Sequence, residues 1–165
     1  MFALIRRATW QLLLPICAIA MTPLDAAVAQ QPPAPALPPY RVVGDAIPTP
    51  LTAQPGDAAE GRKVVEDRRL GNCLSCHAFP IAAEDPGNIG PDLRGVGARL
   101  TPAQLRLRVV NMKVLDPQTI MPAYYRVTGL HDVGKGFAGK PILTAQQVED
   151  LVAFLASIKS TGGSR

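Results

Sequence analysis

Cys73, Cys76 and His77 stand within five positions of one another in Gly71-Asn72-Cys73-Leu74-Ser75-Cys76-His77-Ala78-Phe79. Residues of these types at this spacing suit three chemistries: zinc ligation, a redox-active disulfide, or covalent attachment of a haem. A structural zinc site takes four protein ligands, which here would have to be Cys73, Cys76, His77 and His131. The adjacency of Cys76 and His77 works against their converging on one tetrahedral ion. A disulfide of the thioredoxin kind sits in a strand-to-helix setting, and no βαβ pattern surrounds the motif. Haem attachment uses all three residues without strain. Cys73 and Cys76 form thioethers with the vinyl groups, and His77 follows as an axial ligand of the iron.

An iron so held has a further axial position, for which the chain offers Met112, Met121, His131 and Lys113. Met112 falls on the apolar stripe of a predicted helix and reads as core. His131 lies in the Gly-rich polar stretch Gly129-Leu130-His131-Asp132 and reads as a solvated loop residue. Met121 stands in Thr119-Ile120-Met121-Pro122, outside any helical pattern, and the proline after it biases its backbone toward an extended form. A thioether presented that way has little freedom, and Met121 is the candidate ligand. His/Met ligation raises the reduction potential and leaves no open site, which suits electron transfer. An axial histidine usually gives its other ring proton to a fixed acceptor. In Ile89-Gly90-Pro91-Asp92-Leu93 the Pro91 carbonyl is the candidate, with Gly90 permitting close approach and Leu93 packing on the ring. Arg94, Arg99 and Arg126 are available to haem propionates.

Elements that must position these residues follow from periodicity. Asp57 caps a first helix, with Glu60 three residues on and Gly61, Val64, Val65 and Arg68 at helical spacing. A glycine inside a helix costs about 1 kcal/mol, so Gly61 implies a second helix crossing closely there. Thr101-Pro102-Ala103-Gln104 opens another helix with a capping box, and Leu105, Val109 and Met112 form its stripe. Thr144-Ala145-Gln146-Gln147 opens the last one. Val148, Leu151, Val152, Leu155 and Ile158 make its buried face, Lys159 suits its C-terminal dipole, and Gly162-Gly163 stop it. Loops at 78–100 and 113–143 are longer than a compact domain tolerates without an organiser. Aromatics are few, so a protein-only core is thin. A large apolar cofactor answers both deficits.

The chain of 165 residues fits one domain plus accessory segments. Arg6 and Arg7, the apolar run Leu12–Ala20 and the small-residue pattern Ala27-Val28-Ala29 lay out an export signal over residues 1–29, too short to span a membrane stably. Cys17 leaves with that signal. Its removal takes Arg6, Arg7 and Asp25, so the charge goes from 17 − 13 = +4 to 15 − 12 = +3. No Lys/Arg run remains, which gives nucleic-acid binding no support. Residues 30–55 are Pro-rich, hence an extended or disordered arm, with Tyr40-Arg41-Val42-Val43 apolar enough to dock. The folded domain is expected at 56–160 and a flexible tail at 161–165. The fold class is all-α.

The CxxCH motif, the Gly-Pro-x-Leu loop, the Met-Pro loop and the two terminal helices resemble class I cytochromes c over about residues 56 to 159. The segments GNCLSCHAFP, GNIGPDLRGVGAR, TIMPAYYRVTGL and KPILTAQQVEDLVAFLASIK are more narrowly similar to the SoxX family, the small cytochrome subunits of SoxAX complexes. That resemblance implies one covalent haem c on Cys73 and Cys76, with His77 and Met121 on the iron. It implies a periplasmic location, a SoxA-like partner subunit, action on the SoxYZ carrier through the complex, and a downstream soluble cytochrome c. The implied enzyme is an L-cysteine S-thiosulfotransferase, with this chain as its redox subunit and the catalytic residue on the partner. A free-standing electron shuttle is the alternative.

Overall fold

A computed structural model describes residues 37–81, 87–131 and 133–160. The export signal at 1–29, the start of the arm at 30–36, the tail at 161–165 with Gly162-Gly163, part of the 78–100 loop at 82–86, and Asp132 lie outside the described residues. Helices α1 (Ala58–Glu66), α2 (Val96–Arg99), α3 (Pro102–Asn111) and α4 (Ala145–Ser157) carry the fold. Among the described residues there is no strand, only an isolated bridge between Val43 and Ala46.

Asp57 accepts from the amides of Ala59 (2.7 Å) and Glu60 (3.3 Å), satisfying donors that the first turn of α1 leaves open. The helix ends at Glu66, so Arg68 falls outside it, exposed in the following turn. α1 packs chiefly on α4. The crossing is at Gly61, where an added Cβ would lie 2.0 Å from the Asp150 carbonyl oxygen. The neighbour is therefore the α4 backbone at Asp150 and Leu151. Capping boxes at Thr101 and Thr144 start α3 and α4 as the sequence predicts. All five expected α4 stripe residues are buried. Lys159 does not serve the end of α4; its Nζ donates to the Gly97 carbonyl at 2.8 Å and fastens α2.

Two further expectations need correction. The 78–100 loop contains α2, which is docked because the Gly97 amide donates to the Ile158 carbonyl at 2.9 Å. Met112 is not on the α3 stripe. The helix ends at Asn111, whose backbone (φ −164°, ψ 88°) leaves helical space, and half-buried Met112 begins a 3₁₀ turn over Met112–Val114.

The arm lies along α3 and α4. Ile47 is 0% exposed, its amide donates to the Ala103 carbonyl at 3.0 Å, and the Tyr40 ring lies 6.4 Å from that of Tyr125. Beneath it is a polar clasp that sequence reasoning missed. Arg106 Nε and Nη2 both donate to the Glu149 carboxylate at 2.8 Å, and Nη1 donates to the Ile47 carbonyl at 2.7 Å. The amide of Leu51 donates to Glu149 Oε1 at 2.8 Å. Both charged side chains are nearly inaccessible, at 6% and 5% exposure. Their desolvation is offset by the bidentate geometry and the extra backbone partners, and removing one partner of such a pair costs about 3–5 kcal/mol.

Candidate haem site

A short 3₁₀ turn, Cys73–Ser75, shapes the CxxCH segment. It is entered through Asn72 at φ 49°, a left-handed conformation that asparagine tolerates better than most residues. The amides of Cys76 and His77 donate to the Cys73 carbonyl at 3.1 and 2.9 Å, which winds the three residues into one compact unit. Both cysteines are free thiols and half-buried. Burial pushes the Cys73 thiol up to about 12, so without a haem it stays protonated.

The second wall comes from residues 87–93, laced to the motif by backbone bonds. Gly87 donates to the Leu74 carbonyl, Gly90 to that of Cys76 and Leu93 to that of Ala78, at 2.8, 2.8 and 2.9 Å. This lacing sets the Pro91 carbonyl 2.7 Å from His77 Nδ1. A carbonyl only accepts, so Nδ1 carries a proton, and in the neutral imidazole Nε2 then keeps its lone pair. That is the ligand form of an axial histidine. Gly90 fits under the ring, where a Cβ would stand 2.4 Å from His77 Cε1. Phe79 meets the His77 ring edge-on and stacks near Phe154 of α4, with centroids 6.4 and 6.3 Å apart. Leu93 is half-buried against the core.

Met121 sits opposite in sequence, on the loop after α3. It is half-buried and packs on the core cluster. Its amide donates to Thr119 Oγ1 at 3.2 Å, and Lys113 Nζ donates to the Thr119 carbonyl at 2.7 Å. Lys113 is therefore a strut of this loop. Tyr124, three residues past Met121, braces this loop in a way that sequence reasoning missed. Its hydroxyl donates to the Gly71 carbonyl at 2.7 Å, tying the methionine loop to the entrance of the cysteine motif. Burial drives its phenol well above the ordinary range, so it remains a donor. The cue was its place in Met121-Pro122-Ala123-Tyr124-Tyr125, a run of aromatics in a chain with few of them.

The arginines are committed elsewhere. Arg94 pairs with Asp92, Arg99 donates to the Asp92 and Arg94 carbonyls, and Arg126 Nε donates to the Thr128 carbonyl at 2.6 Å. His131 is exposed. Two large apolar side chains next to site residues face solvent: Ile89 is 65% exposed and Ile120 76%. The donor set suits a haem: two unpaired thiols beside an imidazole fixed in its ligating tautomer.

Residues 58–159 match the family model described as cytochrome c. No curated protein matches the sequence. Among solved structures, the chain is similar to a chain in the crystal structure of SoxXA from P. pantotrophus. The identity is 43% and the TM-score 0.68, over 73% of this chain and 95% of that one.

Proposed function

The chain belongs to the cytochrome c family, in its SoxX group, and from that premise we propose that it is the electron-transfer subunit of a SoxAX complex in the periplasm. The observation that carries the reading is the likeness over 95% of a SoxXA chain. A cytochrome c domain binds haem c covalently, and here Cys73 and Cys76 are the attachment residues. His77 and Met121 would hold its iron, with the Pro91 carbonyl as acceptor for His77 and Leu93 as apolar packing. The haem supplies a one-electron couple when bound. What the chain itself does is orient and shield: Pro91 holds the His77 proton on Nδ1, and Phe79, Leu93 and Tyr124 close the surrounding packing.

The coupled reaction joins thiosulfate to a carrier cysteine on SoxYZ. A sulfur–sulfur bond forms, the thiol proton is released, and two electrons leave. With His77 and Met121 both holding the iron there would be no place on it for thiosulfate, and Cys73 and Cys76 would be consumed by thioethers. The reactive sulfur therefore belongs to a SoxA-like partner, and this chain passes the electrons on, singly, to a downstream soluble cytochrome c. Ile120 and Ile89, exposed beside Met121 and Gly90, are the contacts this reading assigns to partner docking. Export fits a haem attached outside the cytoplasm, and no helix among the described residues is long and apolar enough to cross a membrane. The test mixes this chain, SoxA, SoxYZ, thiosulfate and an electron acceptor, then omits each in turn. Turnover should require SoxA and fall sharply without this chain. Full turnover without SoxA, or a chain that stays monomeric beside it, would favour a free-standing shuttle.

A further inference from the structure

Tyr40-Arg41-Val42-Val43 docks as its apolar character predicts, yet electron transfer as described above gives this stretch of the arm no task. Tyr40 and Val42 pack against the core while Arg41 and Val43 face solvent, the alternation of an extended segment. Beyond them the chain reverses. Val43 and Ala46 exchange backbone bonds of 2.9 and 3.2 Å, and Gly44 takes the left-handed φ of 60° that the turn requires. The turn is moored on α3. Gln104 Nε2 donates to Asp45 Oδ2 at 2.9 Å, Arg108 Nη2 stands 3.6 Å from the same oxygen, and the Ile47 amide donates to the Ala103 carbonyl at 3.0 Å. From that mooring, near the start of α3, the arm reaches Tyr125, which is bonded to the helix's other end.

Tyr125 is 2% exposed, and its amide donates to the Val110 carbonyl at 3.3 Å. The Tyr124 amide donates to the Val109 carbonyl at the same distance. Both bonds are longer than the usual value of about 2.9–3.0 Å, and bonds of this kind are strongest where water is excluded. The Tyr40 ring lies against that of Tyr125, tilted 49° with centroids 6.4 Å apart. Half-exposed itself, Tyr40 stands between Tyr125 and solvent. Residues 124 and 125 hold the exit of the methionine loop. Pro122 restricts the backbone just after Met121, and the Tyr124 hydroxyl grips the Gly71 carbonyl at 2.7 Å. The ties nearer Met121, to Thr119 and through it to Lys113, stay inside the loop.

We propose that Tyr40 is a positioning residue for Met121: by covering Tyr125 it keeps the 124–125 anchor closed and so keeps the thioether in place for the iron. The arm is then a strap for the methionine flank and not a spacer. This rests on the assignment of Met121 to the iron made above.

The test is run on oxidised holoprotein with added imidazole, which takes the iron only while Met121 is off it. In Y40A the sulfur-to-iron band should disappear roughly three- to ten-fold faster than in the natural sequence, the order expected when an aromatic pair is lost. Y40F keeps the ring and should restore the natural rate. V65A removes buried volume from α1, where Val65 is 0% exposed. It should lower the urea midpoint yet leave the imidazole rate near the natural one. Amide exchange followed by NMR should quicken at Tyr124 and Tyr125 in Y40A and stay unchanged in α1. A natural rate in Y40A, an equal acceleration in V65A, or a Y40F as fast as Y40A overturns the proposal. A covalent haem with no sulfur-to-iron band in the natural sequence would instead overturn the ligand assignment, and the amide exchange would still show whether Tyr40 holds the anchor.

Discussion

Residues 71–93 and residues 112–125 each carry a side chain assigned to the iron, but they are braced differently. The histidine side is laced by longer ties within its own stretch: bonds from Gly87, Gly90, Leu93 and His77 reach partners 13 to 15 positions away. The methionine side is tied mostly to itself, through Lys113 and Thr119, Thr119 and Met121, and the Asp116 carbonyl with the Thr119 amide. It joins the body at its end, where Tyr124 and Tyr125 donate to the Val109 and Val110 carbonyls and Tyr124 reaches Gly71. Ties over two to six positions, as between Met121, Thr119 and Lys113, leave a loop freer to open locally than ties over longer spans. One flank is thus built for permanence and the other for readier exchange.

The harshest way to erase that difference is to remove both thioethers. With Cys73 and Cys76 changed to Ala, acid-acetone extraction should strip the colour from the polypeptide. In the natural sequence the colour should stay with the chain. A haem that leaves the unaltered protein would remove permanence from the histidine side. The next largest effect concerns the other flank. Met121→Ala should abolish the sulfur-to-iron charge-transfer band of the oxidised protein, and Met112→Leu, nearly volume-conserving, should keep it. The reverse pattern would move the ligand to Met112. Gly90→Ala should disturb the histidine side selectively, because the new methyl meets the imidazole at 2.4 Å from Cε1. Overpacking of that kind costs about 1–3 kcal/mol, read as a lower urea midpoint. The mildest experiment needs no mutation. On titration with urea, the sulfur-to-iron band should vanish before helical circular dichroism does. Coincident transitions would show that the two sides open together and end the comparison.

Legibility followed the same division. The α4 stripe was readable because apolar residues at helical spacing face one neighbour, and Gly61 announced the crossing because a bare glycine is wasteful in a solvated helix. The His77 acceptor was readable because Gly90 and Pro91 have specific backbone chemistry. α3 misled because its run Leu105-Arg106-Leu107-Arg108-Val109-Val110 is covered on more than one side. Leu105, Leu107, Val109 and Val110 are all buried. One stripe was expected, and Met112 was counted into it. Arg106 carried no signal in the sequence because its partner Glu149 lies 43 positions away. No local pattern announces a buried ion pair of that span. Among the described residues the buried Oδ1 of Asn111 has no partner.

The clasp on Glu149 also carries a statement about time. Threaded outward, the chain presents its arm first, yet the Leu51 amide finds its acceptor only after 98 further residues. Arg106 and the crossing at Gly61 wait for the same helix. Closure across such separations comes late because its loop entropy must be met before any contact repays it. The thiols at Cys73 and Cys76 lie inside the span that closes last, so attachment has an interval in which the chain is long enough to present them and too short to bury them. A chain stopped before Glu149 should therefore show both thiols reacting rapidly with iodoacetamide. Protection of Cys73 in that shortened chain would mean that the domain closes without its final helix.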